Sequence, residues 1–110
     1  MQLPKKVLID KEVYEVRTMT TEEHGPENNI RGLCYSQGPD KTNAIAISAQ
    51  IGHKQQACTF LHEVCHAMLA PLKLHNRREE RIVLRLEEGL SSFFAKNPTL
   101  VAHLVSTLRA

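Results

Sequence analysis

The chain changes its hydrophobic rhythm near residue 50. Before that point apolar residues come in short runs broken by polar clusters. Val7-Leu8-Ile9 and Val13-Tyr14-Glu15-Val16 flank Asp10-Lys11-Glu12, the pattern of a short hairpin with a polar turn. Thr18 to Asn29 is polar and contains Gly25-Pro26, so it reads as a loop. Ile30 to Gln37 reads as a third strand with Leu33 and Tyr35 on one face, and Gly38-Pro39-Asp40-Lys41-Thr42-Asn43 as a turn. Ala44 to Ser48 reads as a fourth strand, antiparallel to the third. From Lys54 to Leu69 the period becomes helical, with Ala57, Phe60, Leu61, Val64, Cys65 and Met68 in one stripe. Pro71 stops this helix. Arg77 to Lys96 repeats the pattern through Ile82, Val83, Leu86, Leu90, Phe93 and Phe94. Asn97-Pro98 reads as N-cap and first residue of a last helix.

Strands first and helices afterwards predict an α+β fold, with a small antiparallel sheet of three or four strands followed by three helices. A chain of 110 residues is the length of one domain, so residues 1–110 are expected to form a single unit. The net charge of +2 is too small to imply nucleic acid or a membrane surface as partner. No apolar run approaches the ~18 residues of a membrane span, and no apolar segment follows the lysines of Met1 to Lys6. A cytoplasmic protein is expected. Cys34, Cys58 and Cys65 are odd in number and lack C-x-x-C spacing, so they read as reduced thiols.

The chemistry concentrates in His62-Glu63-Val64-Cys65-His66. Two histidines four apart share a helical face, so both imidazoles can reach one metal ion. Glu63 follows the first histidine, where it can act as general base on a water. Zn2+ with a peptide or protein substrate is the expectation. A third ligand must come from elsewhere. The arrangement H-E-x-x-H-x-x-G-x-x-H is excluded, because Leu69 and Leu72 stand where it needs Gly and His. Remaining candidates are His75 and the pair Glu79-Glu80 at the start of the second long helix. Helical phase does not separate the two acids, one of which is expected only to favour the helix dipole. Glu87 and Glu88, two turns later, are a weaker acidic option and read as solvated. Cys58 is too far along the axis, since residues eight apart lie ~12 Å from one another. Tyr35 and His75 are the candidates for steadying an oxyanion. Ala44 to Ser48 is a candidate edge strand for holding an extended substrate.

From about Gly32 to Leu104 the chain resembles the small phage- and prophage-type metallopeptidases related to the ImmA/IrrE family. The resemblance is carried by Ala44 to Ser48, Thr59 to Ala67, Glu79-Glu80-Arg81-Ile82-Val83, Leu86, Gly89-Leu90 and Asn97-Pro98. It implies a minimal gluzincin-like fold with zinc held by His62, His66 and a downstream glutamate. The family's spacing of that glutamate to apolar residues three and six positions on matches Glu80, Val83 and Leu86, so the resemblance implies Glu80 as the third ligand. Longer members place an Ala-rich segment after this glutamate and often carry a DNA-binding domain, and neither is expected here. The competing expectations are a catalytically silent phage-derived regulatory or binding module and a SprT-like protease; the latter lacks its later His-Gly and its zinc ribbon.

Overall fold

The computed structural model describes residues 2–37 and 42–110. Most of the turn expected at 38–43 therefore lies outside the described residues. Four strands form one sheet: β1 (Lys6–Ile9), β2 (Glu12–Thr18), β3 (Gly32–Tyr35) and β4 (Ala44–Ile47). Three helices follow: α1 (His53–Leu69), α2 (Asn76–Lys96) and α3 (Pro98–Leu108). This is the α+β order expected from the change of period.

β1 and β2 pair antiparallel with Ile9 opposite Glu12, so the turn is only Asp10-Lys11. Asp10 takes a left-handed φ of 54°, a conformation that its short polar side chain tolerates. The sheet order is β1-β2-β4-β3. β3 and β4 are antiparallel, as expected, but β2 and β4 run parallel. The sheet is thus mixed, not wholly antiparallel. After β2 the chain crosses the width of one strand, lays down β3, and returns to insert β4 into the gap. The crossing carries a single 3₁₀ turn at Glu22–His24 in the stretch read as loop. Thr20 and Glu23 bracket it by exchanging bonds. Glu23 N–H donates to Thr20 Oγ1 (3.2 Å), and Thr20 N–H donates to Glu23 Oε1 (2.9 Å).

This insertion corrects the role assigned to Ala44–Ser48. β4 is an interior strand, buried along its whole length, and its ladder groups are taken on both sides. The edge beside the helices belongs to β3. Alternation then assigns the faces. Ile45 and Ile47 point with Ile9, Tyr14 and Ala67 into the core, where Phe60 and Val64 of α1 pack against them. Gly32 and Cys34 stand opposite Ile47 and Ile45 and share this face. Leu33 and Tyr35 are on the other.

α1 packs across β3 and β4, and α2 packs on α1. α1 ends at Leu69 and passes into a 3₁₀ turn over Ala70–Leu72 that holds Pro71. Lys73, with φ 50°, then reverses the chain. His75 is the N-cap of α2, its ring accepting a bond from Arg77 N–H at 3.3 Å. Pro98 is the first residue of α3, as expected, and Asn97 precedes it. The Asn97 amide does not cap α3, however. It donates back to Phe93 O at 3.0 Å and closes the end of α2.

Candidate metal centre

α1 and α2 run antiparallel, so the first turn of α2 lies beside His66 and its third beside His62. Val83 lies between these turns on the same stripe of α2 and is fully buried. The two imidazoles stack edge to face with centroids 5.0 Å apart. His62 Nε2 lies 3.0 Å from Glu80 Oε1, and His66 Nε2 lies 2.9 Å from Glu80 Oε2. One donor atom from each of His62, His66 and Glu80 falls within 4.8 Å of the others, close enough to hold one metal ion. His75 is not among them; its exposed ring is engaged at the start of α2.

The other ring nitrogens are held as well. His66 Nδ1 is 2.7 Å from Glu79 Oε2, and His62 Nδ1 is 2.8 Å from Glu87 Oε1. Both acids at the start of α2 therefore engage the histidines, and Glu87 is not the solvated residue expected. The available sign was spacing. Glu80 and Glu87 are seven apart and share a face of α2, just as His62 and His66 share a face of α1. Each imidazole is clamped between two carboxylates, which fixes its plane.

Glu63 is 5% exposed and lines the same cleft, a cavity of about 480 Å³ bounded also by Gly32, Cys34, His62, His66 and Glu80. Burial pushes its carboxyl above the ordinary glutamate range. The two histidines pull it down again in part, while Glu80 and Glu87 add to the rise. Gly32 makes room for it. A Cβ at this position would stand 2.5 Å from Thr59 Cγ2 and 3.0 Å from Glu63 Oε2. The strand and the helix can meet this closely only because residue 32 has no side chain.

Cys34 also borders the cleft, with Sγ 3.9 Å from Ser36 Oγ. Burial raises its thiol to about 11, with Glu63 and Glu79 contributing, so it stays protonated at neutral pH. Cys65 is buried and its thiol is likewise raised by burial. Tyr35 faces away from the site. Its hydroxyl donates to Glu23 Oε2 at 2.7 Å, beside the paired Arg17 guanidinium. His24 is buried between Thr20 O and Ser48 Oγ, at 2.8 and 2.9 Å, and has no place in the cleft. His53 opens α1, and His103 lies on exposed α3.

No helix among the described residues is long and apolar enough to cross a membrane. No curated protein and no solved structure matches the chain. A family model does match, over residues 15–92, which takes in β2, β3, β4, α1 and the part of α2 that carries Glu79, Glu80 and Glu87. With most of its length covered, the chain belongs to the IrrE N-terminal-like domain family, Peptidase M78.

Proposed function

We propose that this protein is a zinc-dependent peptidase, with His62, His66 and Glu80 holding the ion and Glu63 acting as general base. One observation carries the reading. Both imidazole Nε2 atoms face the two oxygens of a single carboxylate at 2.9–3.0 Å. In the tautomer that places Nδ1–H toward Glu79 and Glu87, these four atoms are all acceptors and repel one another. A cation between them turns that repulsion into binding. Two nitrogens and a carboxylate are a donor set of a catalytic zinc, and carboxylates behind the imidazoles are the usual support.

When bound, the ion would supply Lewis acidity, polarising the scissile carbonyl and lowering the pKa of a water. The chain's own groups perform the rest. Glu63 accepts the proton of the attacking water on its carboxylate and passes it to the leaving amide nitrogen. Its raised pKa suits both halves of that transfer, because a base closer to neutrality also donates readily. The outer edge of β3 borders the cleft and can pair with an extended peptide through backbone N–H and C=O groups. That pairing would lay a scissile bond beside Glu63 with little regard for side chains.

The test is metal analysis after purification under zinc-replete conditions, coupled with turnover of a peptide library. The proposal expects about one zinc per chain in the parent, and metal retention without turnover in Glu63→Gln. Equal cleavage by Glu63→Gln and parent would remove Glu63 from the mechanism.

A further inference from the structure

The structure assigns a second role, in self-association, to the far end of the molecule, independent of the peptidase reading: we infer that α3 and the last turn of α2 pair with the same surface of a second copy of this chain.

α3 is an 11-residue helix, and none of its residues is buried. Its sequence, PTLVAHLVSTL, contains no Asp, Glu, Lys or Arg. α2, by contrast, carries charges along its length. Leu100, Leu104 and Leu108 recur every four residues, with Val101 and Val105 beside them, so one side of α3 is a continuous aliphatic stripe. Thr99, His103, Ser106 and Thr107 occupy the opposite side. Of the other elements, α3 packs mainly on α2. Leu108 is 83% exposed, and Leu100, Leu104 and Val105 each expose nearly half of their surface. Phe93 and Phe94 expose more than a third of theirs just before the turn into α3.

Area and charge point to the occupant. The exposed parts of Phe93, Phe94, Leu100, Leu104, Val105 and Leu108 amount to roughly 500 Å², a large share of the ~800 Å² that each partner contributes to a standard interface. A two-fold interface sets a patch against itself, so a charge close to the axis meets its own copy. The 11 residues of α3 carry no ionic group and avoid this, with Lys96 alone in the last turn of α2 at the margin, whereas a patch shaped for a charged partner would carry the complementary sign along its middle. The i, i+3, i+4 spacing of the stripe is that of helices that pack side by side. A lipid surface fits less well. α3 is too short to span a bilayer, and its polar side lacks the Lys and Arg of interfacial helices.

Sedimentation equilibrium of the full chain from micromolar to submillimolar concentration tests the inference. The parent is expected to move from its 12.4 kDa monomer mass to twice that value. The double variant Leu104→Glu, Leu108→Glu should stay at the monomer mass throughout, with helical circular dichroism unchanged. Leu8→Glu, at another exposed apolar position on β1, should dimerise like the parent. A parent that is monomeric at every concentration overturns the inference, and so does a double variant that dimerises as strongly as the parent. A monomeric parent that floats with vesicles of phosphatidylcholine and phosphatidylglycerol overturns it in favour of a lipid surface.

Discussion

Glu87 Oε1 lies 2.8 Å from His62 Nδ1, on the side of the ring away from Glu80. The contact orients the imidazole and makes its Nε2 a better donor. Removing such a support weakens metal binding about 10–100-fold while leaving the direct ligands in place. Glu87→Ala should therefore show that loss in a competition titration with a zinc chelator. Glu79→Ala should behave similarly through His66. An unchanged affinity in both variants would show that the contacts are incidental.

Glu80 and His75 separate under the same titration. Glu80→Ala removes the only carboxylate that reaches both Nε2 atoms among the described residues, and metal retention should collapse. His75→Ala should keep full metal affinity. It should cost only about 1 kcal/mol or less in urea unfolding, the scale of a lost N-cap. Zinc loss in His75→Ala with Glu80→Ala intact would reverse the assignment.

Removal of metal should destabilise the fold. Glu63, Glu79, Glu80 and Glu87 crowd four acids around two imidazoles, and a bound cation would ease that charge. At 100 times the dissociation constant, a ligand specific for the native state adds about 2.7 kcal/mol. For a domain of this size that raises the unfolding midpoint by roughly 10 °C or more. Calorimetry with and without chelator should show the difference in the parent and a much smaller one in His62→Ala.

Gly32→Ala should damage stability and chemistry together. The new methyl would press on Thr59 and on the Glu63 carboxylate. Overpacking of this kind costs about 1–3 kcal/mol. Peptide hydrolysis, if present in the parent, should fall further than stability alone explains, because Glu63 must move. Unaltered melting and turnover would mean that strand and helix separate easily.

Arg17 and Glu23 provide a pH-dependent contribution. The Arg17 guanidinium and the Thr20 and Tyr35 donors hold the Glu23 carboxyl well below the ordinary glutamate range. The folded pKa is depressed, so the stabilisation is fully present above the unfolded value of ~4.3. It is lost as pH falls below that value toward the folded pKa. With Arg17 partly exposed, about 1 kcal/mol is the expected scale. Parent and Glu23→Gln should differ by this amount at pH 7 and converge in acid. A gap that widens on acidification would contradict the pairing.

The helical half was readable from the chain because its signals are local. The stripe of α1, the stop at Pro71 and the start at Pro98 all sit within a few residues of what they determine. The pentad was readable because its two imidazoles are one helical turn apart. The insertion of β4 was not, since Ala44–Ile47 would look the same at an edge or in the middle; only burial on both faces distinguishes them. Glu87 ranked only as a weaker acidic option for a related reason. An acid on a helix resembles every other acid until the neighbouring helix is in place, and the seven-residue step from Glu80 becomes informative only then. Tyr35 failed as an oxyanion partner through simple alternation: its neighbour Cys34 takes the cleft side of β3, so Tyr35 cannot.

Val83 gives the centre a dimension that no donor controls. It is sealed between Glu80 and Glu87 at the contact of α2 with α1. Its volume works as a calliper on the gap across which imidazole and carboxylate face each other. A thinner residue would let the jaws close and a thicker one would prise them open, so any ion taken up by the proposed site would be selected partly by a hydrocarbon side chain that never touches it.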